Sequence, residues 1–88
     1  YYSTPEIKFP SPDEKKFEVI KKIKEFCESQ KWVLNTIDGV RVNFSTGWAL
    51  VRASNTGPNI TMRCEATDEV GLKNLQTIFT NLVNTYNQ

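Results

Sequence analysis

The residues with the greatest chemical capacity in this 88-residue chain stand together at positions 52 to 58, in the order Arg-Ala-Ser-Asn-Thr-Gly-Pro. Arg52 offers a planar fork of N–H donors that matches two phosphate oxygens at once. Ser54, Asn55 and Thr56 add hydroxyl and amide donors, and none of these side chains carries a negative charge. The segment therefore predicts a site for an oxygen-rich anion.

Gly57 and Pro58 form the supporting part of this segment. Glycine can adopt a positive φ and lets a ligand approach the backbone closely. Consecutive backbone amides in a tight turn can also converge into a concave group of N–H donors for an anion. Ser, Asn, Thr, Gly and Pro are equally the ordinary residues of turns, so a hairpin loop without a ligand is the alternative that composition leaves open.

Several classes of chemistry are excluded by composition. The chain has no histidine and two cysteines, Cys27 and Cys64, without a CxxC spacing. A Ser/His/Asp or Cys/His nucleophile pair is therefore impossible within it, and the usual zinc ligand sets are missing. Both cysteines fall at apolar positions of predicted elements, so we expect buried free thiols and a reducing, cytoplasmic location. No apolar run approaches the roughly 20 residues of a membrane span, so we expect no membrane partner.

Two helices are predicted from capping residues and apolar periodicity. Ser11 is predicted as the N-cap of the first, with Pro12 at its first position and Glu14 completing a capping box, and Asp68 as the N-cap of the second. The two apolar stripes are predicted to be core, with the first helix's charged residues, Lys16 included, facing solvent. The stripes are Phe17, Ile20, Ile23, Phe26 and Cys27, then Leu72, Leu75, Ile78, Phe79, Leu82, Val83 and Tyr86.

Between these helices the periodicity changes to two, which predicts strands. Val40 to Phe44, 48 to 53 and 60 to 66 alternate apolar and polar residues. A short strand is expected within WVLNTIDGV, residues 32–40, and a weaker extended piece at 7 to 9. One side of each strand is apolar, so the fold class is predicted to be α+β. We expect a three- to four-stranded, mainly antiparallel sheet with two helices packed on one face, in a single domain over residues 1–88.

The stretch DGVRVNFSTGWALVRASNTGPNITMRCEA, residues 38–66, resembles the C-terminal domain of the α-D-phosphohexomutases, particularly the phosphomannomutase/phosphoglucomutase branch. That pattern runs DG, strand, W, R-A-S-N-T-x-P and then R-x-E. TPEIKFPSPDEKKFEVIKKIKEF is similar to the lead-in of the same domain, so the resemblance spans nearly the whole chain. It implies the TATA-binding-protein-like fold of that domain.

The resemblance also implies a function. In this family the loop grips the non-transferring phosphate of a hexose phosphate, which assigns phosphate contacts to Arg52, Ser54, Asn55 and Thr56, while Gly57 departs from the Glu, Gln or Thr of relatives. The expected ligands are mannose or glucose 1- or 6-phosphate and hexose 1,6-bisphosphate. The catalytic serine, the Mg²⁺ loop and the sugar-recognising residues are expected in other domains of a parent enzyme. The fragment alone should then be inactive and hold no cofactor, with residues 1–10 on the hinge side.

Other features have plainer interpretations. The Asp38-Gly39 pair is expected to be a structural turn rather than a metal loop, and Trp32 and Trp48 to seal the edge of the core. A nucleic-acid- or protein-binding module that uses Arg41, Arg63 and Trp48 on an open sheet face is the alternative function. The formal net charge of +1 argues against nucleic acid, which favours a more one-sided field.

Overall fold

The computed structural model describes residues 1–36 and 39–88, which form one antiparallel sheet and two helices. The sheet order is β1-β6-β5-β4-β3, and β2 also pairs with β6. The elements in chain order are β1 (Tyr2–Ser3), β2 (Ile7–Pro10), α1 (Asp13–Ser29), β3 (Val33–Asn35), β4 (Val40–Phe44), β5 (Gly47–Ala53), β6 (Asn59–Ala66) and α2 (Glu69–Tyr86).

The predicted fold class is confirmed, but the described sheet has six strands rather than three or four. The additional strands lie at the N-terminus, where β1 and β2 pair one after the other with the same edge of β6. The register joins Tyr2 to Ala66 and Ile7 to Met62. The two-residue β1 carries too little alternation to be recognised, because its pairing depends on a partner more than 60 residues away along the chain.

The core lies between one face of the sheet and the two helices. The predicted alternation is confirmed in β4, β5 and β6, where the side chains that face the helices are buried, apart from the half-buried Phe44 and Ala53 at strand ends. Trp32 closes one end of this core as predicted, with its ring centroid 5.3 Å from that of Phe44 and 5.9 Å from that of Phe26. The buried apolar residues of these strands are Val40, Val42, Ala49, Val51, Ile60, Met62, Cys64 and Ala66.

The helix α2 follows the sequence prediction closely. The Asp68 side chain accepts a hydrogen bond from the Gly71 N–H at 2.6 Å, which confirms the predicted N-cap. Leu75, Phe79, Leu82 and Val83 are buried, and Leu72 and Tyr86 pack against the core. Ile78 is 41% exposed, so its assignment to the core stripe was wrong. Neither described helix is long and apolar enough to cross a membrane.

The start of α1 differs from the prediction. Pro12 occupies the N-cap position, and no side chain caps the helix. Ser11, the predicted cap, instead uses its backbone N–H to bond the Pro58 carbonyl at 2.7 Å, which extends the pairing of β2 with β6. Its buried hydroxyl has no hydrogen-bond partner among the described residues. Sheet pairing therefore overrides the local capping preference at this position.

The predicted stripe of α1 is confirmed except at Phe17: Ile23 and Cys27 are in the core, and Ile20 and Phe26 pack against it. Val19, Ile23 and Cys27 are buried, whereas Phe17 is 62% exposed. Lys16, predicted to face solvent, is only 5% exposed and lies at the N-terminal end of this stripe. Positions 16, 19, 23 and 27 follow helical spacing as well as the predicted set does. Spacing could not distinguish the two sets, and the apolar Phe17 was therefore preferred to the charged Lys16.

Two substitutions distinguish a true cap from an apparent one. We expect Asp68→Ala to lower the free energy of unfolding by about 1 kcal/mol, because it leaves the Gly71 N–H without its acceptor. Ser11→Ala should change that free energy by less than about 0.5 kcal/mol, since its hydroxyl caps nothing. Urea denaturation of both variants measures the difference. Equal losses would contradict the placement of the N-cap at Pro12.

Candidate anion-binding site

The segment with the predicted donors is the loop that joins β5 to β6. The last register pair of the two strands is Ala53 with Ile60, and the Ser54 N–H continues the pairing by donating to the Asn59 carbonyl at 2.9 Å. The Asn59 N–H then donates to the Gly57 carbonyl at 2.8 Å. These two bonds close residues 54–59 into a compact turn at one end of the sheet.

The loop brings the predicted hydroxyl donors together. Ser54 Oγ lies 3.3 Å from Thr56 Oγ1, and the Thr56 N–H donates to Ser54 Oγ at 3.2 Å. Ser54 is half-buried, whereas Asn55 and Thr56 are exposed. A hydroxyl that accepts one bond keeps its own hydrogen for donation. The two hydroxyls can therefore still donate a hydrogen bond to an oxygen atom of a ligand that approaches from the solvent.

Arg52 lies in β5, two residues before the loop, at a register position opposite Thr61. The neighbouring Val51 is buried on the helix side, so strand alternation places Arg52 on the opposite face of the sheet, where it is half-buried. Arg52 therefore lies on the open face of β5, and Ser54, Asn55 and Thr56 follow in the loop.

Gly39 supports the backbone of Arg52. Its φ is +83°, and a Cβ added there would lie 2.5 Å from both the Arg52 Cβ and the Val51 carbonyl oxygen. A glycine is therefore required by both conformation and space. Asp38, the other half of the predicted turn, lies outside the described residues. The Asp-Gly dipeptide predicted a turn here, but not this close approach to Arg52.

Gly57 does not use the positive φ that glycine can adopt; among the described glycines, only Gly39 and Gly47 do so. A Cβ at position 57 would lie 3.1 Å from Asn59 Nδ2, the end of a flexible side chain. The loop conformation therefore does not depend on a left-handed glycine here. Pro58 supports the loop through its carbonyl, which accepts the Ser11 N–H.

Lys16 is the residue of this site that sequence reasoning missed. Its Nζ donates to the Ser54 carbonyl at 2.6 Å and to the Gly57 carbonyl at 3.0 Å, and it forms an ion pair with Asp13 Oδ1 at 2.9 Å. The loop contacts lie 38 and 41 residues away along the chain. The only available signal was its position on the buried helical stripe, where a lysine needs a partner.

The open face of the sheet carries Arg41 and Trp48, two of the residues that the alternative function uses. Arg41 lies over the Trp48 ring, with its guanidinium carbon 4.4 Å from the ring centroid. Trp48 Nε1 also donates to Glu65 Oε2 at 3.3 Å. Trp48 therefore lies on the open face and not at the core edge as predicted. One face of its ring is already covered by Arg41, which reduces its availability for stacking on a base.

A family model and several known proteins are similar to this chain, and all of them are named as sugar-phosphate mutases or a domain of one. Residues 6–82 match the family model described as "Phosphoglucomutase/phosphomannomutase, C-terminal domain". The chain is 43% identical over 77 residues to a phosphomannomutase/phosphoglucomutase of Pseudomonas putida, covering 88% of this chain and 17% of that protein. It is 42% identical over 69 residues to a phosphoglucosamine mutase of Methanocaldococcus jannaschii, covering 77% of this chain and 15% of that protein.

A solved structure is similar over almost the full chain. It is that of a phosphoglucomutase/phosphomannomutase family protein from Burkholderia thailandensis, with a TM-score of 0.79 and 30% sequence identity. The similarity covers 97% of this chain and 18% of that one. The chain therefore corresponds to less than a fifth of the length of these relatives.

Proposed function

Because the chain belongs to the phosphoglucomutase/phosphomannomutase C-terminal domain family, we propose that it supplies the phosphate-binding clamp of a hexose-phosphate mutase. In this proposal Arg52, Ser54, Asn55 and Thr56 bind the phosphate that is not being transferred. The relatives that match are several times longer than this chain, so the reaction itself is assigned to other domains of a parent enzyme.

The observation that carries this proposal is the concentration of donors at the β5–β6 turn. Ser54 Oγ and Thr56 Oγ1 lie 3.3 Å apart, the Asn55 side chain is exposed beside them, and Arg52 precedes them on β5. Hydroxyl, amide and guanidinium groups all donate to phosphate oxygens, and the guanidinium can do so through two parallel bonds. The loop side chains contribute no competing negative charge.

Such a clamp suits a mutase because its substrate is gripped at a distance from the reacting phosphorus. Binding energy obtained from a remote phosphate can be used to orient the sugar for phosphoryl transfer. A hexose bisphosphate must present either end to the same grip as the reaction proceeds. Donors directed at a tetrahedral dianion accept both ends, whereas contacts shaped to one sugar hydroxyl would accept only one.

The proposal assigns partners and cofactors accordingly. The ligands are mannose or glucose 1- or 6-phosphate and hexose 1,6-bisphosphate, and the other domains of the parent enzyme complete the cleft. Magnesium is assigned to one of those domains, as the family resemblance implies. We expect the isolated chain to be inactive. A reducing, cytoplasmic location fits the two free buried thiols.

Amide chemical-shift mapping with glucose 6-phosphate and glucose 1,6-bisphosphate tests this function. We expect shifts at residues 52–59, and we expect Arg52→Ala to weaken binding about 10- to 100-fold, because it removes charge-assisted hydrogen bonds worth about 1.5–3 kcal/mol. Arg63→Ala removes the same charge from an exposed position on β6 and should leave binding within about twofold. Shifts confined to the open face around Trp48, or equal losses in both variants, would contradict the proposal.

A further inference from the structure

The Lys16 ammonium is buried beneath the β5–β6 loop with each of its three hydrogens matched to an acceptor. The acceptors are the Ser54 carbonyl at 2.6 Å, the Gly57 carbonyl at 3.0 Å and Asp13 Oδ1 at 2.9 Å. A lysine that is only 5% exposed is uncommon unless its charge is paired. The side chain therefore has a defined structural task, and two of its three contacts are to the backbone of the loop.

These contacts determine the direction of the peptide between Ser54 and Asn55. The described peptide bonds are all trans, and a trans peptide directs its C=O and N–H to opposite sides. Because the Ser54 carbonyl is turned inward to Lys16, the Asn55 N–H is turned away from Lys16. In the part of the chain that the structure describes, this N–H has no acceptor. It is thus a backbone donor available to a ligand at the loop.

The Gly57 carbonyl acts as the second anchor. It accepts hydrogen bonds from Lys16 Nζ and from the Asn59 N–H, and the Pro58 nitrogen that follows it carries no hydrogen. The two inward carbonyls hold the loop at both sides of Asn55 and Thr56. The two charges of the Lys16–Asp13 ion pair differ in their exposure to water. The Lys16 side chain is buried against the loop, whereas the Asp13 side chain is 76% exposed, so water screens the negative charge more than the positive one.

We propose that Lys16 is a positioning residue for the phosphate site, which holds the Ser54 and Gly57 carbonyls inward so that the Asn55 N–H is presented to the phosphate. This inference rests on the proposed function. It adds a residue from α1 to a site whose other members lie on the hairpin. The buried positive charge also favours a dianion at the loop without contacting it.

The test compares Lys16→Met with Lys22→Met, which removes the same charge from an exposed position of α1. Both variants and the unsubstituted chain are titrated with glucose 1,6-bisphosphate and with inorganic phosphate, and the amide shifts of residues 54–59 are followed. We expect Lys16→Met to weaken binding about tenfold or more, as for loss of a charge-assisted bond, and Lys22→Met to stay within about twofold. Unchanged affinity in Lys16→Met would overturn the proposal.

A second readout separates this proposal from the proposed function. Backbone ¹⁵N relaxation without ligand should report an ordered loop in the unsubstituted chain and in Lys22→Met, and a mobile loop in Lys16→Met. If the unsubstituted chain bound no phosphate, the proposed function would fail, and loop relaxation would decide whether Lys16 positions the loop. A loop equally ordered in all three proteins would overturn that role.

Loss of folding in Lys16→Met is handled by a second pair of variants. Thermal melting identifies such a loss, and Lys16→Arg and Lys16→Gln are then compared. Arginine keeps the charge and several donors, whereas glutamine keeps donors without the charge. We expect Lys16→Gln to bind phosphate about tenfold more weakly than Lys16→Arg. Equal affinities in this pair would count against the proposal.

Discussion

Phe79→Ala is expected to lower the free energy of unfolding by about 3–5 kcal/mol. Phe79 is fully buried on α2, and its ring centroid lies 6.1 Å from that of Trp32 and 6.4 Å from that of Phe44. Truncation to alanine removes the buried ring and leaves a cavity that the neighbouring aromatic rings can fill only in part. The loss is a large share of the roughly 5–15 kcal/mol that stabilises a domain of ordinary size.

Urea denaturation followed by tryptophan fluorescence measures this change, and Phe17→Ala is its matched control. The same ring is removed from α1, but Phe17 is 62% exposed, so we expect a loss below about 1 kcal/mol. If Phe79→Ala proves unfolded, Phe79→Leu provides a smaller deletion, and its loss should still exceed that of Phe17→Ala. Equal losses at positions 79 and 17 would contradict the exposed position of Phe17 on α1.

Alkaline pH is expected to destabilise the folded chain through its two thiols. Burial, with a smaller contribution from the Glu28 carboxylate, raises the pKa of Cys27 from 9.0 to about 11. Burial raises the pKa of Cys64 from 9.0 to about 11 as well. The folded state therefore keeps both thiols protonated in a range where the unfolded state releases the protons. The stabilisation is complete below pH 9 and is lost as the pH rises toward 11.

The expected loss of unfolding free energy follows from about 1.4 kcal/mol for each unit by which a pKa is shifted. At about pH 10.5 each thiol should have cost about 2 kcal/mol of unfolding free energy relative to neutral pH. Urea denaturation across this range measures the slope. The control is the double variant Cys27→Ala/Cys64→Ala, in which lysines and tyrosines still titrate but the two thiols do not. A slope that persists unchanged in the double variant would contradict the assignment to these cysteines.

Local patterns were sufficient for most of the fold. The alternation of β4 to β6 and the Asp68 cap were predictable because each depends on residues close together in sequence. The positions of Ser11 and Lys16 were not predictable. The Ser11 N–H bonds the Pro58 carbonyl, and Lys16 Nζ bonds the carbonyls of Ser54 and Gly57. In both cases a distant contact overrode a sound local preference.

The candidate site also has a part that could be predicted from sequence and a part that could not. Its donors at Arg52, Ser54, Asn55 and Thr56 are contiguous, so they could be named from the sequence and from the family resemblance. The lysine beneath them comes from another element, and its direction depends on how α1 packs against the sheet. The phosphate contacts themselves, and the placement of residues 1–10 beside a hinge, stay predictions.

The pairing of β1 and β2 with β6 has a further consequence for the handling of this domain. Those two short strands cover the outer edge of β6, which is eight residues long. A version shortened by the first ten residues would expose unpaired N–H and C=O groups along that edge, where a second molecule could add a strand. Such a version should self-associate and precipitate at concentrations that the longer chain tolerates.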